Sequence, residues 1–277
     1  MGRNLSLPVG ILAGIAGLTL YARYIEPSWL IVRRIRLSNL PGSQSPLKIV
    51  QLSDLHASES VPLSLIRRAV EKTIQLKPDL ICLTGDYITD RYSNWDAYSE
   101  TLRPLASCAP VYAVLGNHDG GSWASSHVGG YESFKEVTRM LGKAGVHVLR
   151  NSHVDFQKGN RLIHLIGLGD VWSKDCKPEK AWDATISEND TIVVLAHNPD
   201  SKANARPYPW HLMLSGHTHG GQVVFPGNYA PFAEISDQDY ARGLCPYDGR
   251  SIYITRGVGN LRGWRFCCPP EITEITL

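Results

Sequence analysis

From Leu47 onward the sequence repeats one unit: a short β-branched apolar run, a polar turn containing glycine, then a segment with apolar residues at helical spacing. Leu47–Ser53 (LKIVQLS) reads as a buried strand, and Asp79–Thr84 (DLICLT) as the next. Between them Leu63, Ile66, Val70 and Ile74 recur three or four residues apart, with Arg67, Arg68, Glu71 and Lys72 on the opposite face. Strand, amphipathic helix and strand make a parallel pair joined by a right-handed crossover, since parallel strands need a long connection. The alternation predicts helices around Trp95–Leu105 and Tyr131–Leu141. Further strands are expected at Val111–Leu115, Val146–Leu149, Leu162–Leu168, Thr191–Ala196, Leu212–Leu214, Ser251–Thr255 and Ile272–Leu277. Strands outnumber helices in the second half, which predicts an α/β sandwich of two sheets over one doubly wound sheet. The 277 residues, 43% hydrophobic, supply enough apolar material for such a core and exclude intrinsic disorder.

Charge excludes one class of partner. Lys and Arg number 28 against 26 Asp and Glu, a net +2, whereas a dedicated nucleic-acid binder carries a clustered basic excess; no nucleic-acid partner is expected. The six cysteines form neither a C-x-x-C pair nor a disulfide framework, which points to a reducing compartment. Cys82, inside an apolar run, reads as a small buried hydrophobe.

Asn4 to Ala22 carries no charge and is mostly apolar. As a helix it would extend roughly 28 Å, close to the hydrocarbon thickness of a bilayer. The expectation is an uncleaved membrane anchor over residues 1–24, a juxtamembrane segment and first strand over 25–46, and a catalytic domain over 47–277. Arg23, Arg33, Arg34 and Arg36 after the span outweigh Arg3 before it. By the positive-inside rule the domain would then lie on the cytoplasmic face of a bacterial-type inner membrane. Ile31–Leu37 reads either as a membrane-facing segment or as a first β-strand.

Five apolar runs end in the same kind of polar sequence. Leu52-Ser53 leads into Asp54-Leu55-His56, Leu83-Thr84 into Gly85-Asp86, Leu115 into Gly116-Asn117-His118-Asp119, Val194-Leu195-Ala196 into His197-Asn198, and Leu214-Ser215 into Gly216-His217-Thr218-His219. Ligands of open α/β sheets bind at carboxyl ends of strands, so these blocks should meet in one crevice. Any one alone would be an ordinary turn or surface pair; their ordered conjunction is the signal. Two carboxylates, one amide and four imidazoles (Asp54, His56, Asp86, Asn117, His197, His217, His219) suit Mn, Fe or Zn better than Ca or an iron–sulfur cluster. Seven donors exceed one closed tetrahedral site, and a bridging carboxylate would divide them between two ions roughly 3.5–4 Å apart, the arrangement of a two-metal hydrolase. Asp-x-His and His-x-His are expected to offer both donors on one side of an extended strand end. His127, His147, His153, His164 and His211 lack such a setting and read as packing or surface residues.

The ordered blocks D-x-H, G-D, G-N-H-D, H and G-H-x-H resemble the signature of the calcineurin-like metallophosphoesterases. The resemblance implies a four-layered αββα sandwich of two mixed sheets. It further implies one ion on Asp54, His56 and His219, another on Asn117, His197 and His217, with Asp86 bridging, the ions being divalent and Mn the favoured metal. His118 would correspond to the histidine that meets the scissile phosphate and protonates the leaving oxygen, with Asp119 orienting it. Glu26-Pro27, Ala196-His197-Asn198-Pro199-Asp200, Gly216-His217-Thr218-His219-Gly220-Gly221-Gln222, Thr255-Arg256-Gly257-Val258-Gly259 and Pro270-Glu271 are similar to the YaeI-type bacterial phosphodiesterase branch. That branch is in turn similar to enzymes hydrolysing the pyrophosphate of UDP-2,3-diacylglucosamine to lipid X and UMP. The leading expectation is therefore hydrolysis of a lipid-linked or nucleotide-linked phosphate substrate at the membrane. A broad phosphodiesterase or phosphomonoesterase is the alternative, and a non-catalytic binding module is disfavoured by the intact donor set. Trp95, Tyr98, Trp123 and Tyr131 read as an acyl groove or as core, and Arg256, Arg262 and Arg265 as phosphate contacts or surface charge.

Overall fold

The computed structural model of the chain describes residues 6–38, 40–41 and 46–277. In chain order the elements are α1 (Ser6–Leu20), β1 (Ile31–Arg36), β2 (Lys48–Leu52), α2 (Leu63–Gln75), β3 (Leu80–Thr84), α3 (Trp95–Cys108), β4 (Val111–Val114), α4 (Gly121–His127) and α5 (Lys135–Lys143). They continue as β5 (His147–Val148), β6 (Ser152–Lys158), β7 (Arg161–Gly167), β8 (Thr191–Leu195), α6 (Ser201–Ala205), β9 (Leu212–Ser215), β10 (Gly243–Tyr247), β11 (Arg250–Ile254) and β12 (Glu271–Thr276). Two six-stranded mixed sheets result, ordered β1-β12-β2-β3-β4-β5 and β10-β11-β9-β8-β7-β6.

Successive strand residues point to opposite faces, and this alternation sorts the apolar runs into layers. In β3, Ile81 and Leu83 join the core layer that holds Ile66 of α2, Leu102 of α3 and Leu141 of α5, while Leu80 and Cys82 face the other sheet. In β8, Ile192 and Val194 face outward and Val193 and Leu195 inward, and β9 repeats this with Met213 outward and Leu212 and Leu214 inward. The inter-sheet core is thus built from Ile49, Leu80, Cys82, Val114, Ile163, Leu165, Val193, Leu195, Leu212 and Leu214, all fully buried. Burial there raises the Cys82 thiol well above its ordinary range, in keeping with an inert packing role.

The outer layers are unequal. Helices α2, α3 and α5 cover the first sheet, whereas the second is covered by the five-residue α6 and by loops carrying Ala181 and Trp210. Two strands escape the apolar patterning. In β6 (SHVDFQK) polar residues alternate along an edge that pairs only with β7, and β10 carries Pro246, which an edge strand tolerates because one side of it needs no ladder donor.

The N-terminal expectation is corrected. Helix α1 has 15 residues, and among the described residues no helix is long and apolar enough to cross a membrane. Residues 1–5, including Arg3, lie outside the described residues. After Leu20 the chain widens into a π-helical turn at Tyr21–Ile25 and is tied to the globular body. The Ala22 carbonyl accepts the Arg265 N–H at 2.9 Å, Arg23 Nη1 donates to the Gly263 carbonyl at 2.8 Å, and the buried Glu26 carboxylate accepts the N–H groups of Cys267 and Cys268. Part of the stretch assigned to a bilayer is packed on protein, so the single N-terminal anchor fails, and with it the placement on the cytoplasmic face of an inner membrane. Of the two readings of Ile31–Leu37, the strand is observed: β1 pairs in parallel with β12.

Candidate metal centre

All five polar blocks sit at carboxyl ends of strands, beyond β2, β3 and β4 of one sheet and β8 and β9 of the other. The two sheets therefore bring their donors to one edge of the sandwich. The backbone that does this is not extended. Asp54, His56, Asp86, His217 and His219 have φ of 52°, 45°, 53°, 70° and 52°, left-handed values that cost a non-glycine residue about 1–2 kcal/mol each. Such conformations persist where the surroundings over-determine them and cluster at functional sites. Here the turns are held by hydrogen bonds between blocks: Asp54 N–H donates to the Gly85 carbonyl, His56 N–H to the Asp86 carbonyl, and His217 N–H to Asp54 Oδ1, each at 2.9–3.0 Å. Close approach also demands glycine at 216, where a Cβ would lie 2.3 Å from Asp54 Oδ2.

The side chains converge. His56 Nε2 lies 3.0 Å from His219 Nε2, and His197 Nε2 lies 3.1 Å from Asn117 Oδ1 and 3.2 Å from His217 Nδ1. Asp86 stands between the two clusters, its Oδ2 3.5 Å from His56 Nε2 and 3.1 Å from His197 Nε2. Three groups have donor atoms within 4.8 Å of one another: Asp54 with His56 and His219, Asp86 with His197 and His217, and His56 with Asp86 and His118.

Burial sets the charge of these groups. It lowers His56 and His217 to about 3 and His219 well below its ordinary value, so all three present lone pairs at neutral pH. Burial also raises Asp54 to about 6, with the positive charge on His197 opposing it. For His197 burial acts downward, but the Asp86 carboxylate prevails and lifts it to about 10. Burial pushes Asp86 upward, but the surrounding histidines, His197 first, hold it well below the usual carboxylate range. Inward-facing neutral nitrogens and carboxylate oxygens with few protons to share are the donor chemistry of a divalent cation. Asp54 Oδ2 fits that chemistry, being buried without a hydrogen-bond partner among the described residues.

Asp119 and His118 are arranged otherwise than expected. The Asp119 carboxylate accepts the N–H groups of Asp86 at 2.9 Å, Tyr87 at 2.7 Å and Gly116 at 2.7 Å, and makes no hydrogen bond to His118. It joins the Gly-Asp block to the Gly-Asn-His-Asp block, and its burial raises it to about 8. His118 Nδ1 instead meets the Thr89 carbonyl at 2.5 Å, and its backbone N–H donates to Asp86 Oδ1 at 2.9 Å. Thr89 is a partner that no sequence pattern marks, because every residue carries a carbonyl. Trp172 is a second missed neighbour, its ring 4.3 Å from His217 and 5.4 Å from Trp123, which itself lies 5.0 Å from His118. A signal existed for it: Gly169-Asp170-Val171-Trp172 follows the apolar run of β7 as Gly85-Asp86 follows β3. Tyr98, by contrast, is core, and Trp95 and Tyr131 pack against that core. A cleft of about 200 Å³ opens beside the donors, lined by Asp86, Asn117, His118 and His217 and closed by Gln222, Phe232, Glu234, Leu261 and Arg262.

Two sheets presenting seven such donors define a metal-dependent phosphoesterase, and the chain belongs to the calcineurin-like phosphoesterase family, whose sequence profile matches residues 47–221. Among its relatives, the phosphodiesterase YaeI of Escherichia coli (strain K12) is 45% identical over 258 residues, which cover 93% of this chain and 92% of that protein. The UDP-2,3-diacylglucosamine pyrophosphatase LpxG of Chlamydia trachomatis serovar D is 29% identical over 303 aligned positions, covering 91% and 90%.

Proposed function

We propose that the chain hydrolyses a phosphodiester or pyrophosphate bond at a two-cation centre, with UDP-2,3-diacylglucosamine as the leading named substrate. The convergence of the two donor clusters on the shared Asp86 carboxylate carries this reading. Asp54, His56 and His219 would hold one cation, Asn117, His197 and His217 the other, and Asp86 both, with Mn the favoured metal. When bound, the cations supply Lewis acidity at the phosphate oxygens and lower the pKa of the attacking water. His118 is the catalytic acid in this scheme. Its Nδ1 can bond the Thr89 carbonyl only as a donor, which fixes the ring and leaves Nε2 to hand a proton to the departing oxygen. Asp119 acts on the backbone, holding Asp86 and His118 in register.

A lipid-linked substrate is supported by apolar surface at the cleft. Phe232 lines it and is 63% exposed, and Phe225 and Tyr229 of the same loop are 45% and 64% exposed. Such rings exposed together mark a contact surface for an apolar ligand. The second reading, a phosphodiesterase of broad range, is favoured by the 45% identity to a protein named for that activity. Hydrolysis of UDP-2,3-diacylglucosamine, glycerophosphodiesters and phosphomonoesters by the Mn-reconstituted protein separates the two. The leading reading expects turnover of the first, abolished in Asp86→Ala and strongly reduced in His118→Ala. Full turnover by both variants, or after exhaustive chelation, refutes the site assignment.

A further inference from the structure

Three arginines fall in the segment that closes the site, and the fold gives them different tasks. Arg265 is fully buried and spends its guanidinium on the carbonyls of Arg256, Gly257, Gly259 and Cys268. Arg256 turns toward Glu271, 3.5 Å from its Oε2. Arg262 alone of the three lines the cleft, and it is the one Lys or Arg among the lining residues described. It makes no ion pair or hydrogen bond among the described residues.

The backbone that presents Arg262 is held from both sides. Gln222 clamps Leu261, accepting its N–H at 2.7 Å and donating to its carbonyl at 2.8 Å, and Arg23 grips the Gly263 carbonyl at 2.8 Å. Between these clamps Arg262 sits at φ 60°, where glycine would be at ease and arginine is strained. A strained position fixed on each side, with an unengaged guanidinium over the cleft, calls for a ligand.

We infer that Arg262 binds the non-scissile phosphate of a pyrophosphate substrate and so selects diphosphate esters over single-phosphate diesters; this rests on the phosphoesterase reading above. In a pyrophosphate diester each phosphate carries one negative charge. The scissile phosphate has the cations and His118 to meet it. The second enters a cleft whose other charged lining residues include the carboxylates of Asp86 and Glu234, so a separate cation is needed. A guanidinium presents two N–H groups to two phosphate oxygens, a match that an ammonium cannot reproduce.

The test compares Arg262→Ala and Arg262→Lys with the parent protein, Mn-loaded, on UDP-2,3-diacylglucosamine and on bis(4-nitrophenyl) phosphate. Arg262→Ala is expected to raise KM for the diphosphate about 10- to 100-fold while kcat changes little, with Arg262→Lys between, as for loss of one charge-assisted contact. Turnover of the single-phosphate diester should stay within about twofold, which also reports an intact fold. Equal losses on both esters, or none on the diphosphate, overturn the inference. Calorimetric binding of methylenediphosphonate against methylphosphonate reads the same preference without turnover, and the ratio should collapse in Arg262→Ala. If the parent protein cleaved neither ester, the phosphoesterase reading would fail separately. A binding ratio unchanged by the substitution would refute the role of Arg262 in either case.

Discussion

Replacing Gly116 with alanine places a methyl carbon 2.2 Å from Asp86 Oδ1, 2.7 Å from Asp86 N and 2.9 Å from Asp86 Cγ. The first contact must open by roughly 1 Å before repulsion subsides. Neither side gives way freely. Asp86 Oδ1 holds the His118 N–H at 2.9 Å, and Asp119 Oδ2 holds the N–H groups of Gly116 and Asp86 at 2.7 and 2.9 Å. Relief therefore sacrifices at least one hydrogen bond to a carboxylate, worth about 1.5–3 kcal/mol. It also moves the carboxylate proposed to serve both cations by more than the ~0.2 Å that metal–ligand distances tolerate. Calorimetric Mn titration should show affinity lower by about 10- to 100-fold, the range seen when the support of a metal ligand is removed. Urea unfolding should register the accompanying loss of stability. Gly142→Ala is the control: its Cβ meets nothing within 4 Å and it lies on the exposed face of α5, so it should be neutral or stabilising by up to about 1 kcal/mol. Gly116→Ala protein that bound Mn with parental affinity would refute the assignment of Asp86 to the cations.

Asp119→Ala should lower stability by about 3 kcal/mol or more, because three N–H groups lose their buried acceptor, and urea denaturation measures it. A variant as stable as the parent would remove Asp119 from its bracing role. Leu165→Ala, at a fully buried position between the sheets, should cost about 2–5 kcal/mol by the same assay, and a cost under about 1 kcal/mol would contradict the packed inter-sheet layer. Glu26→Ala should speed amide exchange at Cys267 and Cys268, which donate to that carboxylate, while β3 and β8 remain protected. Unchanged exchange at both cysteines would show that Glu26 does not hold this seam.

Much of the fold was legible because the central strands are buried on both faces and read as continuous apolar runs. The edge strands β6 and β10 were not, since an edge is half solvated and its pairing is decided by the neighbour. The donor blocks stand out by their position after apolar runs, but the pleat does not pair their donors. Asp54 with His56, and His217 with His219, stand together through left-handed turns and not through the pleat of an extended strand. Backbone contacts such as Thr89 to His118 leave no mark on composition. The anchor misled for a related reason: hydropathy registers that Tyr21 and Ala22 are apolar, but not that the neighbouring Arg23 bonds to Gly263, 240 positions away.

Strand β12 lies between β1 and β2, although it is made roughly 220 residues after β2. Glu271–Thr276 gives β2 its second partner, and Gly257 and Gly259, upstream of it in the chain, pack closely against Asp54. The turn that carries Asp54 is therefore braced by the end of the chain: Gly259 N–H donates to the Asp54 carbonyl at 2.7 Å and Glu271 N–H to the Gly257 carbonyl at 2.8 Å.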